Sequence, residues 1–339
     1  MRNKLVPIIL FTILALIITF PVIFNMDRLI YGYPDDTLAT LGGFWYYKLA
    51  LLHNLDLAKN VYTAFPSGGT PFSHSYPIFD QVTGLITMLT NEIFTWNLLS
   101  ILNFVLSAIL MYLLVKYLTN NRISAFISGL IYGFCPHICM HSFNHILLGA
   151  IQWMPLYILF LMKLVFERNY KNAIFCGASY ALVVLLNPYY GYYMLLFTVI
   201  FIIFLVLRHI KNLGTVIKNN RFRILKLAGL VLFSSLIIIV PFEHKAMNRI
   251  FSRDDAKNAL YNRPLEGLIF SGARPKNFLF PPRTNPVLKN ISKPFISPDF
   301  GSMIEHTSYL GYTPLILSII AASFWRRRRK RKCQMSNVK

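Results

Sequence analysis

Tyr31-Gly32-Tyr33-Pro34-Asp35-Asp36-Thr37 is the stretch on which the reading of the fold turns. It places two adjacent acids directly after an apolar run, Leu5 to Phe24, that starts behind Arg2 and Lys4. A run of that length can cross a bilayer, and Lys and Arg gather on the cytoplasmic side of a span. Asp35 and Asp36 are therefore expected on the opposite face. The run is too long for the apolar core of a signal peptide, and no A-x-A cleavage site follows, so it reads as a retained anchor. The rest of the chain reads as a helical bundle holding this acidic pair at a membrane surface.

Composition supports a membrane class. Of 339 residues, 55% are hydrophobic and 14% charged, with mean hydropathy +0.50. A soluble domain carries about a quarter charged residues. The length allows one bundle of about eight spans at ~20 residues each, plus loops, and no large soluble domain besides. The net charge of +21 would suit a nucleic-acid binder, but the basic residues lie between apolar runs and at the end of the chain. That placement sets topology and meets anionic headgroups. No nucleic-acid-binding motif appears, and no nucleic acid is expected as a partner. Cys135, Cys139 and Cys176 sit in apolar runs as buried thiols. Cys135 and Cys139 are close enough in sequence for a disulfide, with Pro136 between them.

Taken in order, span 1 is Leu5 to Phe24. Within the outer segment that follows, Leu38, Leu41, Trp45, Leu49 and Leu52 recur at helical spacing. Thr37 to Leu57 is thus expected as an interfacial helix, capped by Asp36 or Thr37, with Trp45, Tyr46 and Tyr47 at headgroup level. Phe65 to Pro71 reads as a turn. Ile78 to Phe94 carries Asp80, Gln81 and Glu92, which makes it interfacial or re-entrant rather than spanning. Spans 2 to 7 are expected at Trp96–Val115, Ile123–Met140, Ile146–Met162, Ala173–Asn187, Tyr189–Leu207 and Leu227–Phe242. A short outer loop, His141 to His145, joins spans 3 and 4. Trp153-Met154-Pro155 reads as a kink. A basic inner loop runs from Arg208 to Lys226. Span 8, Tyr309 to Trp325, ends in a basic cluster.

The short inner loops are all basic and the short outer loops contain no Lys or Arg. Eight spans with both termini cytoplasmic satisfy that pattern, in a multi-pass protein of the plasma membrane. The expected organisation is one transmembrane domain over 1–325, with outer loops 25–95 and 243–308 and a basic cytoplasmic tail over 326–339.

Candidate chemistry concentrates on the outer side. Asp35 and Asp36 suit a general base or the ligands of a divalent metal; they equally suit a solvated turn and helix N-cap. His137, His141 and His145 recur at a spacing that can share a helix face and bind metal; they equally suit the two ends of a loop. Arg263, Arg274, Lys276 and Arg283 can hold a phosphate, or serve as solvated cations. Glu305-His306 stands just before span 8. No P-loop, GxSxG, HExxH or GxGxxG occurs in a suitable context.

The order of these features resembles the GT-C superfamily of membrane glycosyltransferases that use polyprenyl-phosphate sugars. The residues that carry the likeness are Pro34-Asp35-Asp36-Thr37 with Trp45 downstream, and Tyr62 with Phe65 to Gly69. Further along they are Gly129 to Pro136, His145 followed by Gln152 to Leu156, and Glu305 with Tyr309 to Tyr312. The resemblance implies an all-α membrane fold and a polyprenyl-phosphate sugar as donor. The sugar would pass, with inversion, to an envelope acceptor at the extracytoplasmic face. It implies that Asp35 or Asp36 is the catalytic acid, alone or with Mg or Mn. His145, His141, Arg263, Arg274 and Glu305 are then expected around donor and phosphate. The competing reading is a non-catalytic membrane component of envelope polysaccharide assembly or transport.

Overall fold

The structure is a computed structural model. It describes residues 2–34, 36–56, 60, 62–63, 77–208, 213–251, 274–281, 285, 287–295, 309 and 311–336. Asp35, Arg263, Arg283, Glu305, His306 and the expected turn at Phe65–Pro71 lie outside these residues. The described elements are helices, with no strand among them. The chain divides into two compact units, residues 1–134 with 141–259, and residues 135–140 with 260–339.

The first unit contains α1 (Arg2–Ile18), α2 (Asp36–His53), α3 (Pro77–Leu89), α4 (Glu92–Thr119) and α5 (Arg122–Gly133). After α6 (Pro136–Asn144), which begins in the second unit, come α7 (Ile146–Gly149), α8 (Trp153–Glu167), α9 (Tyr170–Leu186), α10 (Pro188–Arg208) and α11 (Leu213–Phe251). The second unit adds α12 (Pro275–Leu279), α13 (Lys289–Ser292) and α14 (Tyr312–Ser336).

Among the described residues four segments are long and apolar enough to cross a membrane: Glu92–Thr119, Ile146–Glu167, Pro188–Arg208 and Phe222–Phe242. A fifth is reached if α5 and α6, a bent pair, count as one span. Leu5–Ile18, Tyr170–Leu186 and Tyr312–Phe324 are apolar but shorter. On α10, Leu195, Ile200, Ile203 and Phe204 are at least half exposed, a surface suited to lipid and not to water.

Asparagine makes the helix turns at one end of the first unit. Asn120 closes α4 in the left-handed conformation, and Asn121 then caps α5 by accepting from the backbone N–H of Ile123 and Ser124. Arg168 and Asn169 repeat the device between α8 and α9. These caps satisfy helix-end groups that lipid cannot. Between them α4 packs on α1, α5 and α8, while α9 packs on α8, α10 and α11. The α9–α11 contact is close enough that a Cβ on Gly177 would stand 2.0 Å from Ser234 Oγ and 2.4 Å from the Val231 carbonyl oxygen. Small residues permit this approach, as is usual between helices in lipid.

Several expected boundaries are corrected. The first apolar helix stops at Ile18, Thr19 to Pro21 turn, and Val22–Phe24 is a single 3-10 turn of helix, because Pro21 lacks an N–H and disfavours helix at Phe20. The helix expected at the interface is Asp36–His53, and Tyr46 and Tyr47 are buried in protein while Trp45 is exposed. Ile78–Phe94 is not one element: α3 ends at Leu89, and Asn91 caps α4 by accepting from Phe94 N–H. At 13 residues, α3 is about 20 Å long and too short to span. The third expected span breaks before Pro136, and His141 to Asn144 are the last turn of α6 rather than a loop. The fourth is interrupted at Ala150–Gln152, so Pro155 falls in the first turn of α8. No backbone N–H is needed there, and the break lies ahead of Trp153 rather than at Pro155. The basic segment is helical from Leu213 onward. No disulfide joins Cys135 to Cys139.

Gly177→Leu is expected to lower the unfolding temperature of the purified protein, at a cost of about 1–3 kcal/mol from overpacking. Gly42 sits in α2 with nothing within 4 Å of a Cβ. Gly42→Ala is expected to hold or raise that temperature, by up to ~1 kcal/mol. Thermal unfolding of both variants checks the packing.

Candidate functional site

The segment from Asn25 to Pro34 has no helix of its own, so its backbone groups need partners from elsewhere. Helix α4 supplies them. Asn97, fully buried in α4, accepts from Tyr31 N–H at 2.8 Å. Its amide donates to the carbonyls of Met26 (2.9 Å) and Leu29 (2.7 Å). The Trp96 indole N–H donates to the Tyr31 carbonyl at 2.6 Å. These four bonds fix the approach to α2.

The next contacts bring α2 to the α6–α7 junction. Tyr33 N–H donates to the Phe143 carbonyl at 3.3 Å, and Thr37 Oγ1 donates to the same oxygen at 3.5 Å. Gly32 lies so close to this oxygen that a Cβ would stand 3.2 Å from it. The Tyr31 ring meets the Phe143 ring edge-on at 5.3 Å. Lys48 reaches Glu92 at 3.7 Å and ties α2 to the start of α4.

In that frame Asp36 Oδ2 lies 3.1 Å from His145 Nδ1. The Asp36 side chain is 38% exposed and that of His145 is 20% exposed, so the pair is ordered by protein yet reachable from outside. Asp36 occupies the first turn of α2, where the helix favours a negative charge. Neither Asp36 nor Thr37 is the N-cap, because the helix begins at Asp36 itself and their side chains turn to His145 and Phe143. His145 is the non-helical residue between α6 and α7. Its Nε2 lies 3.3 Å from Asn144 Nδ2. With Nδ1–H directed at the carboxylate, Nε2 accepts from that amide. Asn144 Oδ1 is buried with no hydrogen-bond partner; turning the amide would let it accept from an Nε2–H instead. Asp36 and Asn144 can therefore flank the imidazole in both protonation states.

His141 is buried, with its ring 5.9 Å from that of His145. Below them, Ser142 and Asn103 continue the polar region. Ser100 Oγ donates to the Ser142 carbonyl, and the Asn103 amide reaches Ser142 Oγ and the Ile146 carbonyl. Gln152 in turn donates to Asn103 Oδ1 at 3.2 Å. Asn97, Ser100, Asn103 and Ser107 recur along one side of an otherwise apolar span. That spacing is the sequence signal that would have revealed this network.

The structure thus joins Asp36, His145 and His141. Arg274 belongs to the second unit, is exposed at the start of α12, and its backbone N–H donates to Asn277 Oδ1. Among the described residues no group of three His, Cys, Asp or Glu gathers as metal ligands. Of the two acids expected to bind Mg or Mn, Asp35 lies outside the described residues and Asp36 has one oxygen engaged by His145.

The chain belongs to the family described as Domain of unknown function (DUF6311), which matches residues 8–338. No curated protein and no solved structure matches it.

Asn97→Leu removes three buried hydrogen bonds and leaves backbone groups unpartnered, at about 1–3 kcal/mol for each stranded group. It is expected to lower the unfolding temperature and to open the 25–34 segment to proteolysis. A variant as stable and as protected as the parent would contradict this account of the approach to Asp36.

Proposed function

We propose that the protein is a GT-C-type membrane glycosyltransferase that moves a sugar from a polyprenyl-phosphate donor to an envelope acceptor. In this reading the chain crosses the plasma membrane about eight times, with both termini cytoplasmic. Five long or bent apolar segments and three shorter ones are available for that count. The basic helix turns on one side of the first unit face the cytoplasm, and Asp36 lies toward the extracytoplasmic face.

The observation that carries the proposal is the contact between Asp36 and His145. A carboxylate held by an imidazole at the rim of an apolar bundle is a fixed proton acceptor within reach of a ligand. Asp36 takes the proton of the acceptor hydroxyl, through the oxygen not engaged by His145. The hydroxyl oxygen bonds to the anomeric carbon from the face opposite the donor phosphate. The bond from that carbon to the phosphate oxygen breaks, and the phosphate leaves with the electron pair, which gives inversion. His145 holds the carboxylate in place and, when protonated, brings a positive charge to a site where an anion departs. In this reading the steps run through side chains.

The second reading, a non-catalytic component of envelope polysaccharide assembly, draws on the same contact. The Asp36–His145 pair and the Phe143 bonds also latch α2 to the α6–α7 junction. Turnover and stability together separate the two readings.

Sugar release from a labelled polyprenyl-phosphate donor by purified protein is the test. Asp36→Asn and His145→Gln are expected to cut turnover by about 100-fold or more, as for loss of a general base or its partner, while the unfolding temperature stays near that of the parent. Equal turnover in parent and Asp36→Asn, or absent turnover in both, would overturn the catalytic assignment. Turnover is expected to survive EDTA; loss restored by Mn would make the acids metal ligands instead.

A further inference from the structure

A groove of about 400 Å³ opens between α1, the end of α4 and the start of α5. Its walls are apolar, formed by Val6, Leu10, Tyr112, Ile123 and Phe126, and Arg122 is the charged residue that lines it. Val6, Leu10 and Ile123 are 50%, 45% and 72% exposed. Unlike the single exposed apolar residues of any surface, they line one concavity.

The charge around it is unbalanced. No acid pairs with Arg122 among the described residues. The nearby helix end carries Lys116, and the α8–α9 turn carries Lys163, Arg168 and Lys171. Glu167 at that turn is already engaged: Tyr117 donates to its Oε1 at 2.9 Å and Asn172 to its Oε2 at 2.8 Å. Among the described residues Arg122 is thus a guanidinium without a protein counter-ion, lining an apolar slot. It opens α5, one residue past the Asn121 cap, at the end of a helix long enough to cross a bilayer.

We propose that this groove is a binding site for one anionic phospholipid. An acyl chain lies along Val6, Leu10, Ile123 and Phe126, and the headgroup phosphate meets Arg122. A guanidinium holds two phosphate oxygens in a planar fork, and the low-dielectric wall beside it strengthens the pairing. A zwitterionic lipid brings its own ammonium to the same place and gains less. A free phosphate ion makes the charge contact but leaves the apolar wall uncovered. The site lies at the opposite end of α4 from Asn97 and Trp96, and it stands whatever chemistry Asp36 performs.

Native mass spectrometry of the detergent-purified full chain tests it, with phosphatidylglycerol and phosphatidylcholine of identical acyl chains competing. The parent is expected to retain the anionic lipid about fivefold better, the scale of one Arg at a membrane surface. Arg122→Gln is expected to lose most of that preference. Leu10→Trp, which fills the groove, is expected to reduce retention of both lipids. Lys171→Gln, at the same basic end but outside the groove, is expected to leave the preference intact. The proposal fails if Arg122→Gln keeps the parent's preference, or if Lys171→Gln loses as much. It also fails if inorganic phosphate at matched concentration protects against thermal unfolding as well as phosphatidylglycerol does.

Discussion

A buried amide inside an apolar helix governs the first unit. The chain between α1 and α2 lacks regular structure, and its backbone N–H and C=O groups lie where they need protein partners. Asn97 provides them, with three hydrogen bonds from one side chain. An unpaired amide in such surroundings costs several kcal/mol, and a fully bonded one fixes geometry. The bond from Trp96 to Tyr31 acts in the same sense. Together they determine where α2 can begin, and so where Asp36 stands.

The partner of Asp36 is set by a break in another helix. Pro136 interrupts the apolar run that opens with α5, and the short helix that follows ends at Asn144. His145 is left between the two flanking helices, its N–H still donating to the His141 carbonyl at 2.7 Å, with its ring turned to α2. The Phe143 carbonyl beside it accepts from Tyr33 and Thr37. Asp36 and His145 are 109 positions apart, and neither is brought to the other by local propensity. Two irregular stretches, each stabilised by side chains of a long helix, make the pair.

Much of the architecture was legible in the sequence. The long apolar runs gave α4, α10 and the membrane part of α11, and Asn187-Pro188 marked the tight turn between α9 and α10. That the stretch after Pro77 does not span was expected from Asp80 and Gln81, and α3 is too short to cross a bilayer. The helix breaks were less visible, because Pro136 and Pro155 look alike in sequence. Both fall in the first turn of a helix, but the break stands directly before Pro136, whereas it lies at Ala150–Gln152, ahead of Trp153 and Met154, for Pro155. Tyr46 and Tyr47 were expected at the headgroups from type alone, whereas α3 packs on α2 and both are buried. At the site, the sequence singled out Asp36, His141 and His145 separately. It could not pair Asp36 with His145, since an ion pair across 109 residues leaves no periodic trace. Asn97 and Asn103 were overlooked because a hydropathy reading averages single polar residues away, although their helical spacing was there to be seen.

The central claim is that Asp36 and His145 act on each other. A double-mutant cycle on the thermal or denaturant unfolding of the purified protein measures this directly, using Asp36→Asn, His145→Gln and the double variant. The account expects an interaction energy of at least about 0.5 kcal/mol, larger at a pH where the imidazole is charged. Strictly additive effects at every pH would mean that the two side chains do not meet, and the site would have to be sought elsewhere.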